Sequence, residues 1–477
     1  MKKIIAFLLV LIVNFTLFGC KKDSSVPNDV NYTLNLTLNN DMTLDGNMIF
    51  SYTNFTTSME NLEFVLYANG YSKDSKIEPI SYVYTEMAYP NGKSYGDIEI
   101  IRVKSQNKDV NFKITGENKN VLQVDKSFEK YEEIIVEIDF KTTLANVLHR
   151  LGYGENTINL CNFYPIISVI ENGEYVECLY YPYGDPFYSE NANYEVYLTL
   201  PSTYSVASSL DPEGVEVMGA NTTYKYKQNN VKDIAFILSS EFEILKDKVE
   251  DIEVYYYYFS DETPEKTLKV IKESLAFFNN EYIKYPYTHY TVCQSDFIYG
   301  GMEYPCLVYV DEKLKSSDLY YTVVHETAHQ WWYGIVGDNE IIDGYIDEGL
   351  TEFSTVNFFN AYDEYGIKKD EFIQSTRKAY DKILANLVEM GVNANHGLRY
   401  SLKDYSSDIE YVASVYYKSA LTFFDIENSV GSKKFNKFLK SFMQKYFMQN
   451  VSSEILDKEI KKLGNVAYNI FSNSVYA

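Results

Sequence analysis

The sequence predicts an α+β multidomain chain, an N-terminal antiparallel β domain followed by an α+β domain that ends in a run of helices. Three observations carry this prediction. Between residues 31 and about 245 apolar residues alternate with polar ones, as at Tyr32, Leu34, Leu36 and Leu38, and again where Tyr194, Val196, Tyr197, Leu198 and Leu200 lead into Pro201. From Thr263 the period becomes helical, with Leu268, Ile271, Leu275 and Phe278 on one stripe. Beyond Ser316 every periodic stretch is helical.

At ~100–200 residues per domain, 477 residues make two to four domains. The 46% hydrophobic and 23% charged fractions are those of an ordinary globular chain. With 67 acidic against 43 basic residues the net charge is −24, which excludes nucleic acid as a partner, because phosphate binding draws on Lys and Arg.

Lys2 and Lys3 precede an apolar run over residues 4–13 that Phe15, Leu17 and Phe18 extend. The run is short for a bilayer span, which needs ~20 apolar residues, and reads as a signal peptide. Its end, Leu17-Phe18-Gly19-Cys20, resembles a bacterial lipoprotein lipobox. That resemblance implies cleavage before Cys20, lipidation of its thiol, and an extracytoplasmic body anchored to a bacterial cell membrane. The expected division is therefore signal peptide 1–19, lipidated Cys and linker 20–30, β domain 31–247 and second domain 248–477. Export leaves two readings for Cys161, Cys178, Cys293 and Cys306: local disulfides, Cys161 with Cys178 and Cys293 with Cys306, or buried free thiols.

Within the β domain, Leu44-Asp45-Gly46-Asn47 reads as a turn. In the second domain strands are expected at 252–259, 288–293 and 307–310, with a helix opened by Thr263-Pro264 and running to about Tyr282. Ser316-Ser317-Asp318 reads as the cap of a helix that continues to Gly334 or Gly337.

On that helix lies His325-Glu326-Thr327-Ala328-His329. Residues four apart share a helical face, so the two imidazoles can grip one zinc ion while Glu326 reaches a water beside it. Separated from His329 by eighteen residues, Glu348 opens the next helical pattern and can supply the third ligand. Two histidines and one carboxylate leave a coordination position open, the pattern of catalytic zinc. Glu352, one turn later, can accept the outer ring N–H of a ligand histidine. His149, His289 and His396 have no ligand spacing and read as structural. Trp331 and Trp332 read as packing the zinc helix against the sheet.

Three stretches together resemble the gluzincin zinc aminopeptidases, those like aminopeptidase N: Gly300-Gly301-Met302-Glu303-Tyr304-Pro305, then residues 325–334 from His325 to Gly334, then Asp347-Glu348-Gly349. Weaker similarity runs back through Tyr181-Pro182-Tyr183-Gly184-Asp185-Pro186-Phe187 into the N-terminal strands. The resemblance implies a thermolysin-like catalytic domain holding one zinc ion and a reaction on peptides with a free N-terminus. In it Glu303 binds the α-ammonium, while Gly300, Gly301 and Met302 line the peptide cleft. It also aligns Tyr416, in Tyr411-Val412-Ala413-Ser414-Val415-Tyr416-Tyr417-Lys418, with the catalytic tyrosine; Tyr417 is the rival, and Tyr411 joins the substrate contacts.

The sequence departs from the family at Tyr304, where relatives carry Asn and where the first substrate pocket is expected to change. It also departs at Tyr417 and Ser419, and in ending about 130 residues after Glu348, short of the long helical domain of larger relatives. The family's amine-holding glutamine has no clear counterpart; Asn162 is the candidate. The expected mechanism is water attack with Glu326 as general base and Tyr416 donating to the oxyanion. Other readings are an endopeptidase or oligopeptidase with the same zinc site, and an inactive peptide-binding surface lipoprotein.

Overall fold

Alternation in sequence becomes alternation in burial. Tyr32, Leu34, Leu36 and Leu38 are buried on strand Asp29–Leu38, and Tyr194, Val196, Leu198 and Leu200 on Ala192–Pro201, with Tyr197 on the outer face. The computed structural model describes residues 29–392 and 396–476; the signal peptide and Cys20 lie outside the described residues.

These strands sit at the middle of an eight-stranded sheet, and two four-stranded sheets and the two-stranded pair Ile170–Glu171 with Glu174–Tyr175 accompany it in the N-terminal region. Within the large sheet every neighbouring pair is antiparallel except Asp29–Leu38 with Ala192–Pro201. A parallel pair needs a long crossover. Here the crossover builds four other strands of the same sheet and a whole four-stranded sheet. Aromatic rings join the layers: Phe50 meets Phe64 edge-on at 5.0 Å, and Tyr32 meets Tyr164 at 5.6 Å.

Leu44-Asp45-Gly46-Asn47 is not a turn but lies inside strand Thr43–Thr53. The reversal comes earlier, where Met42 adopts a φ of 60°. Gly46 serves packing instead. A Cβ there would lie 2.2 Å from the ring of Phe140, the residue opposite it on strand Glu133–Thr143.

The second region opens on a five-stranded sheet ordered Glu243–Val249, Ile252–Tyr258, His289–Ser295, Leu307–Asp311 and Gly301–Met302. The boundary expected between 247 and 248 cuts its first strand, which pairs along its length with Ile252–Tyr258 and so belongs to this sheet. The inner pairs are parallel, and Gly301–Met302 closes the edge antiparallel to Leu307–Asp311. Helix Pro264–Glu281 begins at its proline and buries Ile271, Leu275 and Phe278.

The helix carrying both motif histidines runs over Ser316–His329. Its N-cap position is Lys315, without a side-chain capping bond, so the serines do not cap it, and it ends at His329 rather than near Gly334. The two tryptophans therefore follow the helix. Their ring contacts fall on helix Pro264–Glu281 and the loop after it, Trp331 against Phe278 and Tyr285, Trp332 against Tyr282, and both share one buried core with the sheet. The chain returns in helix Tyr345–Ala361, and further helices complete the region. One non-helical exception beyond Ser316 is the short parallel pair Val336–Gly337 with Gln449–Asn450.

Cys161, Cys178, Cys293 and Cys306 are buried free thiols, so neither local disulfide forms. His149 and His289 are held by hydrogen bonds from or to neighbours outside the cleft, Tyr71 and Asp211 respectively, and His396 stacks on Tyr400 at 3.7 Å. Among the described residues no helix is long and apolar enough to cross a membrane.

Because Phe140 is locked in the core, Gly46→Ala is expected to destabilise the fold by ~1–3 kcal/mol, the usual cost of overpacking. Urea unfolding checks this; an unchanged midpoint would show that the ring yields freely.

Candidate active site

The return helix lies against the histidine helix so that three donor atoms converge. His325 Nε2 is 3.1 Å from Glu348 Oε2, His329 Nε2 is 3.2 Å from the same oxygen, and the two imidazole nitrogens are 3.1 Å apart. Bonds of ~2.0–2.2 Å to zinc put tetrahedral neighbours ~3.3–3.6 Å apart, within a few tenths of an ångström of these edges. The imidazoles are oriented from behind. His329 Nδ1 donates to the carbonyl of Trp332 at 3.0 Å, and His325 Nδ1 faces Glu352 Oε1 at 3.1 Å, an ion-pair distance without good hydrogen-bond alignment. Both Nε2 atoms thus face Glu348. Glu352 is itself held by the Tyr321 hydroxyl at 2.6 Å.

The field here favours a cation. Burial disfavours charge on His329, yet the carboxylates of Glu303 and Glu348 push its pKa up to about 10. Burial also opposes ionisation of Glu348, but the charge of His329 and hydrogen bonds from both imidazoles hold its carboxyl well below the usual range. The donor set, its spacing and this field all fit zinc.

Glu326 points from the same helix toward Gly301 on the edge strand. A Cβ on Gly301 would lie 2.2 Å from Glu326 Oε1, so the glycine makes room for the carboxylate. Burial pushes Glu326 up to about 7, with His325 and His329 pulling the other way. Tyr416 donates its hydroxyl to Glu348 Oε1 at 2.5 Å, and burial followed by the charge of Glu348 keeps the phenol protonated. Tyr417 also lines the cleft, but it is Tyr416 that reaches the ligand carboxylate. Both belong to a π-helical stretch, Val412–Lys418. Residues five apart diverge on an α-helix, whereas π winding brings Tyr411 and Tyr416 together, with ring centroids 6.0 Å apart. Gly184, at a φ of 60°, leaves space for the Tyr411 hydroxyl.

The cleft encloses about 400 Å³, within the range of small-ligand sites. Gly300, Gly301, Glu303 and Tyr411 line it, as expected. Met302 does not; it is buried, and its sulfur accepts from Arg150 Nε at 3.1 Å, because a strand residue next to an outward one points inward. Tyr304 is likewise buried, donating to Asn162 at 3.2 Å, which removes both residues from the substrate pocket.

Instead the β domain contributes Asp185 to the cleft, anchored by an ion pair with Arg150. Asp185 stands close enough to be the leading neighbouring charge, after burial, that pushes Glu303 well above the carboxylate range. Neither Asp185 nor Arg150 was assigned from sequence. The only signal was the position of Asp185 inside the weaker stretch at 181–187.

Residues 266–474 match the profile described as Peptidase family M1 domain. These residues are an M1 peptidase domain. Across 163 residues the chain is 28% identical to leukotriene A-4 hydrolase of Xenopus laevis, and across 181 residues 28% identical to leucine aminopeptidase 2-1 of Meyerozyma guilliermondii. Those stretches are 33% and 36% of this chain and only 26% and 28% of the two relatives. An M1 zinc metallopeptidase from Deinococcus radiodurans has the same fold, with a TM-score of 0.68 at 15% identity over 94% of each chain. A variant of that enzyme bound to a Tyr-Ser-Ala substrate superposes with a TM-score of 0.66 at 16% identity over 94% of each chain. The M1 domain thus comes with the two-part architecture of those solved structures, the N-terminal β region included.

An open zinc site with three protein donors loses its ion when one is removed. His329→Ala and Glu348→Ala are each expected to abolish zinc retention after dialysis, measured by elemental analysis. Full zinc in either variant would reject the triangle as the metal site.

Proposed function

We propose that this chain is a zinc aminopeptidase, one ion per chain, that removes the N-terminal residue of peptides outside the cytoplasm. One observation carries the reading: a carboxylate oxygen of Glu303 lies within 4.8 Å of ligand atoms of both Glu326 and His329. In a peptide the α-nitrogen and first carbonyl carbon are only two bonds, ~2.5 Å, apart. An ammonium on Glu303 therefore places the first peptide bond, and no later one, beside Glu326. Asp185 adds a second anion to the same wall.

Zinc at the triangle supplies Lewis acidity, which makes water nucleophilic near neutral pH and polarises a carbonyl. The residues do the rest. Glu326 takes the proton of the attacking water and delivers it to the leaving amine, a task suited to a carboxyl poised near neutrality. Tyr416 turns its hydroxyl from Glu348 toward the carbonyl oxygen as negative charge develops there. Glu352 keeps His325 oriented. The clearance that Gly301 gives Glu326 supports catalysis over binding alone.

The anchor is part of the proposal and rests on the lipobox resemblance at Cys20. A Cys20→Ser protein is expected to leave the membrane fraction or accumulate uncleaved, as fractionation will show; normal processing and retention would reject the anchor.

Glu326→Gln should keep zinc and lose hydrolysis. Tyr416→Phe should lower kcat by ~10²–10³-fold with little change in KM, the signature of a donor used only in the transition state. Steady-state kinetics check both, and the same pattern from Tyr417→Phe instead would move the role by one residue.

Glu303→Ala should cost ~2–4 kcal/mol in kcat/KM on free-amine peptides, the range for breaking a buried charge pair. N-terminally acetylated peptides should be poor substrates of the parent and respond little to the mutation. Equal turnover of acetylated and free peptides by the parent enzyme would replace the aminopeptidase reading with an endopeptidase one.

A further inference from the structure

Glu303 also lies among a second group of carboxylates that shares no residue with the zinc triangle. Glu340 belongs to the one-turn helix Glu340–Asp343, and Asp347 stands at the start of the return helix Tyr345–Ala361. One oxygen from each of Glu303, Glu340 and Asp347 lies within 4.8 Å of the others, and the three residues are 4%, 3% and 2% exposed.

Their surroundings do not neutralise them. Both carboxylate oxygens of Glu340 and Oε1 of Glu303 have no hydrogen-bond partner among the described residues, nor has Oδ1 of nearby Asp338. Asp347 accepts only the N–H of Glu348, at 2.8 Å, among the described hydrogen bonds, and its nearest cationic group is His329 Nδ1 at 4.0 Å. Of the buried cations of the neighbourhood, Arg150 is paired with Asp185, while Lys232 donates to Asn450 and its single charge faces both Asp338 and Glu340, too little to balance the whole group. Asp343, on the same short helix, shows the contrast: it accepts the Ser453 hydroxyl and backbone N–H and faces Arg399.

Three buried carboxylates at this separation either share protons or surround a cation, because like charges so close cannot all ionise alone. The donors are all oxygen, the set chosen by hard ions rather than by zinc. Metal–oxygen bonds of ~2.0–2.6 Å allow ligand oxygens up to ~4–5 Å apart, which accommodates the observed spacing. We propose that Glu303, Glu340 and Asp347 form a second metal site, for calcium or magnesium, separate from the His325, His329 and Glu348 triangle.

The test is a binding measurement and does not depend on peptidase activity. Zinc-loaded protein, desalted, is titrated with CaCl₂ and with MgCl₂ by calorimetry, and elemental analysis follows zinc in the same samples. Expected are one calcium or magnesium ion per chain at millimolar concentration or below, a rise in melting temperature with that ion, and unchanged zinc. E340Q is expected to weaken binding about tenfold or more while retaining zinc and a cooperative melt. Failure of both ions to bind the parent at millimolar concentration would overturn the site and leave the carboxylates sharing protons. Parent-like affinity in E340Q would overturn it too. The parent titration decides the first point even if E340Q does not fold.

Discussion

Two buried imidazoles and a buried carboxylate held 3.1–3.2 Å apart are a demanding arrangement, since each group alone would lose its hydration on burial. Holding them there requires two helices to meet at a set height and rotation. Trp332 links the helices by donating its indole N–H to Ser354 at 2.8 Å, and the Thr351 hydroxyl lies 3.2 Å from His329 Nδ1. Gly349 lets a later helix, Ser419–Val430, press against the return helix, since a Cβ there would lie 2.6 Å from the side chain of Ser419. The same contact fixes the π-helical stretch just before Ser419, and with it Tyr416.

Around this pair of helices the cleft draws on distant parts of the chain. The sheet edge brings Gly301 and Glu303, the β region brings Asp185 braced by Arg150, and the π-helical stretch brings Tyr411 and Tyr416. The wall is rich in carboxylates, and the arginine among the cleft residues is paired. The resulting potential suits an ion or an ammonium group, so the metal chemistry and the proposed recognition of a peptide N-terminus draw on one physical property.

Much of this was legible in the sequence because it depends on local spacing. Alternation marked the inward residues of the long strands, and proline with a four-residue period marked helix Pro264–Glu281. The ligand spacing survived folding because a helix converts an interval of four into one face. Misreadings came where a local signal competed with a remote neighbour. Gly46 looks like a turn glycine until Phe140 arrives from the facing strand, Met302 looks like a cleft residue until the pleat turns it inward, and Tyr304 until its hydroxyl reaches Asn162 in the core.

Composition and periodicity determined the β region, the helical region and the three donor residues, because each is written within a few turns or one strand. Tertiary structure decided the rest. It chose Asp185 over Asn162 for the cleft, Tyr416 over Tyr417 for the ligand carboxylate, free thiols over disulfides, and the meeting of Glu303, Glu340 and Asp347. Each of those choices depends on which residues far apart in the chain come within a few ångströms of one another. That is set by the packing of whole elements, for which no local spacing is a sufficient signal.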